Sequence, residues 1–514
     1  MNPYYLLAAV VVLLISAALL APRKKKLAPP PGAMPGDLIL RASSYKSGSR
    51  RYLADSGTLV VPENRSRLGS RLIALPVLRI RSSSASPAEP IFHLAGGPGV
   101  SNMRFRPPDE LLANHDIVLV GYRGVDRSSV LDCPEFEKAV LGDGKSILGD
   151  TSLDLMTRAV RLWLARTRSA GVDLAGYTLP EVIEDLETAR LKLGYERVNL
   201  LSESYGTRLA QVYAALHPRS LHRSAMIGVN PPGRFVWEPQ MVDAQIAQYG
   251  RLWAHDDAAS VRTADLAQAV RTVSHNMPAR WLLLPIDPGK VNAAAFVLLF
   301  NRKTAAQVFD AYVAAAHGDA SGLALMGMAY DFMLPGAFVW GDLFAKGASA
   351  DMDLKRDYAA TLQPQESIMG SPIAWLAWAP LSRARERELA PGQLLQPQPS
   401  DVETLLLSGS VDFSTPAEYA RDELLPTLRN GTQVIFSEAG HVPDIWKLQP
   451  EATLRMLTTF YLTGEPDTSL LAYVPMDFKV GLGFPRLAKL LTVTLILPFL
   501  GLVIAVRRLL GRAH

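Results

Sequence analysis

One cysteine, Cys133, stands in a chain of 514 residues. A lone thiol excludes a disulfide-stapled scaffold and a zinc site built on cysteines. Charge is scarce as well: 20% of the residues are Asp, Glu, Lys or Arg, and the net balance is +4. Even that surplus is local. Seven bases (Arg23, Lys24, Lys25, Lys26, Arg507, Arg508 and Arg512) lie beside apolar end segments, and without them the chain carries −3. Nucleic acid is therefore excluded as a partner on charge. No internal repeat is present either. What remains is 48% hydrophobic, with 37 Gly and 37 Pro, the balance of a globular protein.

Two apolar runs mark the ends. Residues 6–21 read LLAAVVVLLISAALLA, and 490–506 read LLTVTLILPFLGLVIAV without a charge. At 1.5 Å per residue, about 17 residues meet the lower limit for a ~30 Å hydrocarbon layer. No Lys or Arg precedes the first run, and Pro22 occupies the position after a would-be cleavage at Ala21, which favours an uncleaved anchor over a signal peptide. The expectation is a transmembrane anchor at 5–21, a second span at 488–506, and a plasma- or inner-membrane protein with the lipid bilayer as a partner. The bases on the middle side of the spans (Arg23 to Lys26, Lys479, Arg486 and Lys489) outnumber Arg507, Arg508 and Arg512 on the terminal side. That count leans towards a cytoplasmic middle.

Between the ends, short β-branched runs at 59–61, 72–80, 91–94 and 117–120 predict strands. A helical pattern begins near 153, with Leu155, Ala159, Leu162 and Trp163 on one face, and a second helix at 179–193 stops at Gly194. A strand at 198–201 runs straight into a helix at 205–216. This alternation predicts a mostly parallel sheet covered on both faces, an α/β fold. It covers 37–232, breaks off over 233–398 and resumes over 399–470. The interruption holds helical stretches at 265–273, 305–316 and 321–333 and reads as an inserted helical cap. After it come a strand at 404–407, a helix at 416–428 and a strand at 433–436. Gly144-Lys145-Ser146 resembles the end of a phosphate loop, but Ala139 holds the place of its first glycine, and the match is discarded.

Ser202-Glu203-Ser204-Tyr205-Gly206 sits at the strand-to-helix junction. A serine in such a tight turn has its hydroxyl pushed outward, with a helix N-terminus behind it. Its acid and base then follow in chain order. Of the later histidines, His217 and His222 lie near a helix end, His255, His275 and His317 fall in the cap, and His514 ends the chain. His441 follows the last strand and is the candidate base. Asp412, just past the penultimate strand, would orient it, while Thr415 caps the helix starting at Pro416. Glycines in His93-Leu94-Ala95-Gly96-Gly97-Pro98-Gly99 let the backbone approach a substrate carbonyl, so Gly97 (or Gly96) and Tyr205 supply oxyanion-hole N–H groups.

The stretches PIFHLAGGPGVS (90–101), HDIVLVGYRG (115–124), YTLPEVIEDLETARLKLGYERVNLLSESYGTRLAQVYAALHP (177–218) and 405–416 resemble the proline iminopeptidase and tripeptidyl aminopeptidase branch of the α/β-hydrolases. The resemblance implies the α/β-hydrolase fold with an inserted helical cap, and a Ser204–Asp412–His441 triad. It also implies release of amino-terminal residues from peptides, with acids binding the substrate's free amine; Glu203 and Asp331 are the candidates here. Relatives of this kind are extracytoplasmic, against the lean of the charge count, so the side of the membrane stays open. Ser202 replaces a usual glycine, Ala95 a common histidine and Gly121-Tyr122 the usual Asp-Gln. Cys133 stands where secreted relatives carry a disulfide-bonded cysteine, without a partner here.

The sequence thus predicts a membrane-anchored serine hydrolase working through an acyl-enzyme, with no metal or organic cofactor. Its favoured substrate is the amino end of a peptide. The alternatives are a carboxylesterase or lipase acting on amphiphilic esters, and a non-catalytic hydrolase fold used as a binding module. The oligomeric state is not read from the sequence.

Overall fold

A computed structural model describes residues 27–127, 129–353, 355–384 and 396–494. These build a nine-stranded sheet from β1 (Leu38–Ser47), β2 (Arg50–Pro62), β3 (Leu72–Ile80), β4 (Ala88–Leu94), β5 (His115–Val120), β6 (Val198–Glu203), β7 (Leu221–Ile227), β10 (Glu403–Gly409) and β11 (Gly431–Phe436). A separate two-stranded hairpin joins β8 (Arg280–Trp281) to β9 (Leu284–Pro285). The order across the large sheet is β1-β2-β3-β5-β4-β6-β7-β10-β11. β1, β2, β3 and β5 pair antiparallel, and every pairing from β5 through β4 to β11 is parallel.

The parallel strands are apolar at consecutive positions because both faces are covered. Leu200 and Leu406 point into a cluster with Leu186, Leu209 and Tyr213 of the helices Leu179–Leu193 and Tyr205–Leu216. Their neighbours Leu201, Leu405 and Leu407 point the other way, onto Ile445, Met456 and Phe460 of the helices Val442–Leu448 and Pro450–Thr463. Each such side chain contributes about 1.5–3 kcal/mol when fully buried.

Three local readings need correction. The first hairpin reaches far beyond the run at 59–61, because β1 is a largely exposed edge strand without an apolar stripe. The helix Asp150–Ser169 buries Leu153, Met156, Val160 and Trp163, while Leu162 is 61% exposed, so its inner face is rotated from the predicted one. The helix expected at 416–428 is broken: Ala417–Tyr419 gives way to a wide turn at Ala420–Leu424 and a tight one at Leu425–Thr427. Pro426 has no N–H with which to continue it.

Among the described residues between β7 and β10, the regular structure apart from the β8–β9 hairpin is helical and includes Pro239–Ala254, Pro288–Leu298, Arg302–Ala316, Ser321–Met333, Trp340–Ala350 and Pro372–Ala384. These helices share one apolar cluster with the helix Asp150–Ser169. The connection between β5 and β6 is thus divided: Asp150–Ser169 packs with the insertion, and Leu179–Leu193 packs on the sheet. A buried ion pair ties the insertion down: Lys346 Nζ donates to Asp342 Oδ2 at 2.8 Å and to the Arg123 carbonyl at 3.1 Å.

The expected membrane localisation is corrected. Among the described residues no helix is long and apolar enough to cross a membrane. The run 5–21 lies outside the described residues, as does the 495–506 part of 488–506. The described part is helical from 484 to 494 and is held to the body by Lys489, whose ammonium meets Asp319 Oδ2 at 2.6 Å. Two bilayer-spanning ends are therefore withdrawn as a feature of the fold, and with them the lipid bilayer as a partner.

Candidate active site

β6 ends at Glu203, the helix begins at Tyr205, and Ser204 makes the turn between them at φ 51° and ψ −120°. A positive φ on a residue with a Cβ costs about 1–3 kcal/mol and persists only where its surroundings enforce it. Here they do. Ser204 N–H donates to the Ile227 carbonyl at 2.8 Å, and its own carbonyl accepts from Thr207 N at 2.9 Å and Thr207 Oγ1 at 2.7 Å. A Cβ on Gly206 would collide with the Leu94 carbonyl, and one on Gly96 would stand 2.7 Å from Ser204 Cβ. Ser202 serves in place of glycine because its hydroxyl is fully buried and donates to the Ala225 carbonyl at 3.2 Å.

Asp412 and His441 meet at the carboxyl ends of β10 and β11. His441 Nδ1 stands 2.8 Å from Asp412 Oδ2, and the backbone N–H of His441 donates to the Phe300 carbonyl at 2.7 Å. Asp412 is fully buried and saturated with donors: Oδ1 accepts from the N–H groups of Ser414 and Thr415 at 2.9 Å each, Oδ2 from Thr415 Oγ1 at 2.8 Å. Thr415 is therefore not the helix cap expected of it; its hydroxyl also lies 3.2 Å from His441 Nδ1 and helps hold the imidazole. Gly228, at φ 64°, leaves room for the ring: a Cβ there would come within 2.8 Å of His441 Cε1. Engagement of Nδ1 leaves Nε2 as the nitrogen turned away from Asp412, and His441 lines one cleft with Ser204. Among the described residues Ser204 Oγ makes no hydrogen bond, an arrangement common in unliganded hydrolytic sites.

The glycine loop after β4 is fixed by residues that sequence motifs do not announce. Asn102 Oδ1 accepts from Ala95 N at 2.8 Å while its Nδ2 donates to the carbonyls of His93 and Val120. Asp126 Oδ2 accepts from the N–H groups of Asn102 and Tyr122, and Asp342 Oδ2 accepts from Gly99 N at 3.0 Å. Gly97, at φ 78°, and Tyr205 then line a cavity together with Ser204. Tyr205 is the first residue of its helix, so its N–H has no partner within the helix.

Two hollows meet at Ser204. The larger is an open cleft of about 700 Å³ shared with His441, His93, Phe105, Glu203 and Trp446. Exposed Arg104, Arg106 and Lys447 stand at its edge, and among the described residues none of the three has an ion pair. The smaller is an inner cavity of about 120 Å³ walled by aromatic rings, Trp237, Trp340 and Trp378 among them. No charged residue lines it.

The two candidate amine-binding acids part company. Glu203 lies in the open cleft, where Trp446 Nε1 donates to Oε1 at 2.6 Å and His93 Nε2 stands 3.7 Å from Oε2. Burial alone would raise its pKa, but His93 and Trp446 outweigh it and hold the carboxylate below its ordinary range. His93 itself is stacked on Phe105, centroids 3.8 Å apart. Asp331 lines neither hollow; Lys290 Nζ takes its carboxylate at 2.6 Å. The other described histidines after Ser204 have structural partners: His217 with Glu184, His222 with Glu89, His255 and His317 with carbonyls of their own helices, His275 with the Ser367 carbonyl. Cys133 is buried, which pushes its thiol pKa up and leaves it protonated. Among the described residues no three His, Cys, Asp or Glu side chains stand together as a metal would require.

Residues 89–448 match the family described as alpha/beta hydrolase fold. The chain belongs to that family. It is also similar to tripeptidyl aminopeptidases of Streptomyces coelicolor and Streptomyces lividans, each 27% identical over 288 residues. Those matches cover 50% of this chain and 52% and 53% of the relatives, so the chain spans about half their length. Among solved structures, a Mycobacterium tuberculosis protein gives a TM-score of 0.37 at 14% identity, covering 78% of this chain and 97% of that one. An esterase from Exiguobacterium antarcticum gives 0.33 at 13%, covering 76% and 96%. At such scores a likeness bears on neither activity nor substrate.

Proposed function

We propose that the protein is a serine hydrolase that removes amino-terminal residues from short peptides through an acyl-enzyme. The observation that carries this reading is the Asp412–His441 contact of 2.8 Å in a cleft shared with a serine held at positive φ. Ser204 Oγ attacks the carbonyl carbon, and its proton passes to His441 Nε2. Asp412 keeps the proton of Nδ1 in place and stabilises the imidazolium. Charge that develops on the carbonyl oxygen meets the N–H groups of Gly97 and Tyr205, each such donor being worth about 3 kcal/mol; Gly96 is the alternate. Collapse expels the amine with the proton from His441, and water then releases the acyl group by the reverse relay.

A peptide with free ends suits the open cleft. Glu203, the single carboxylate lining either hollow, would take the ammonium group, and Arg104, Arg106 and Lys447 would meet the carboxylate at the far end. The similarity to tripeptidyl aminopeptidases favours the same class. One observation favours an ester instead: the inner cavity is uncharged and aromatic, as an apolar acyl group requires. A free-amine requirement separates the two. Purified protein is assayed with a peptide anilide and its N-acetylated form; the aminopeptidase reading predicts a large preference for the free amine, and equal turnover of both ends it.

A further inference from the structure

Asn230, just beyond β7, lines the inner cavity and is 7% exposed. All but one of its polar atoms are engaged. Its backbone N–H donates to Thr207 Oγ1 at 2.8 Å, its carbonyl accepts from Gln211 Nε2 at 3.1 Å, and its Nδ2 donates to the Arg234 carbonyl at 2.8 Å. That last bond fixes which end of the amide is nitrogen. Oδ1 is left buried, with no partner among the described residues. A second orphan belongs to another residue that lines the cavity: the hydroxyl of Tyr205, which is 3% exposed. Burial, and the nearby Asp342, push the Tyr205 phenol well above its usual range, so it stays neutral and able to donate.

A buried acceptor without a donor is unfavourable, so one on a residue that lines a cavity favours an occupant that supplies the donor. The rest of the wall is aromatic and uncharged, so a charged group is rejected there by desolvation. The volume, about 120 Å³, suits one small ring or branched chain, since a cavity of roughly 150 Å³ holds benzene. We propose that the inner cavity takes an uncharged acyl side group with an apolar body and a single O–H or N–H donor, and that Asn230 Oδ1 is the specificity-determining acceptor for it. This rests on the hydrolase reading given above. It assigns the charged ends of a substrate to the open cleft and the uncharged acyl side group to the inner cavity.

The test uses 4-nitrophenyl esters of 3-phenylpropanoic acid and of its 3-hydroxy- and 4-hydroxyphenyl analogues, with fluorophosphonate labelling in parallel. At least one hydroxylated ester is expected to exceed the parent in kcat/KM by roughly ten-fold, the size of one well-made buried hydrogen bond. Asn230→Leu is expected to bring that ratio to about one. Tyr205→Phe, which keeps the backbone N–H, lowers the ratio less and guards against a folding defect in the first variant. If the parent ester is turned over as fast as the hydroxylated ones, the two orphans serve only a trapped water and the inference falls, while the hydrolase reading stands. Labelling without turnover of any of the esters has the same meaning. Neither labelling nor turnover overturns both.

Discussion

The inner cavity and the open cleft touch the same serine and share little else. One is about 120 Å³, walled by rings and free of charge; the other is about 700 Å³, with a carboxylate beside Ser204 in sequence and three exposed bases at its edge. The contrast follows from desolvation. A charge is costly among apolar rings, so charged recognition belongs in the open cleft and shape recognition in the uncharged aromatic cavity. Ser204 borders both hollows, so under the proposed relay a change in Ser204, Asp412 or His441 is felt by every substrate, whereas a change in one hollow is felt by one part of a substrate.

That division orders the expected effects. Asp412→Asn removes the group that holds the tautomer of His441, and kcat falls about 10³- to 10⁴-fold. Steady-state kinetics on a peptide anilide and on a simple ester must give the same factor; unequal factors break the claim of a shared centre. Gly228→Ala places a Cβ against the imidazole and forces a residue with a side chain into positive φ. Displacement of the base by about 1 Å lowers kcat roughly 10²-fold, again for both substrate types, with KM little altered.

Changes confined to the cleft are smaller and selective. Glu203→Gln reduces kcat/KM for free-amine peptides by about ten-fold, as for the loss of one charge-assisted hydrogen bond, and acetylated peptides by less. The same substitution has a pH signature. The folded pKa of Glu203 is depressed, so its carboxylate contributes stability above the unfolded value and loses it as pH falls through the folded one. Thermal melting must show the wild type gaining on Glu203→Gln between pH 3 and pH 7; a pH-independent difference contradicts the pairing with His93 and Trp446. The smallest effect belongs to the cavity. Ala377→Leu fills part of it, and esters with bulky acyl groups lose several-fold in kcat/KM while an acetyl ester is little affected.

The parts of this site that sequence reveals are those whose chemistry is local. A strand, a tight turn and a helix follow one another within residues 198–216, so the position of Ser204 is legible from spacing alone. Asp412 and His441 follow from chain order at the ends of strands. Asn102, Asp126 and Asp342 are not legible, because their work is done on segments that only the fold brings close; Asp342 holds Gly99 across 243 residues. Thr415 was misread for a related reason, since a threonine before a proline looks like a cap until Asp412 and His441 are seen around it. Asp331 resembles an amine ligand until Lys290 is found on the facing helix. The two hollows have no linear signature, being made of rings and polar ends from the sheet's loops and the helical insertion together.

Fluorophosphonate treatment followed by peptide mass spectrometry tests the central claim most directly. One adduct on Ser204, formed in the wild type and nearly lost in His441→Ala, is the predicted result. A well-folded protein that acquires no adduct, or acquires it on another residue, contradicts it.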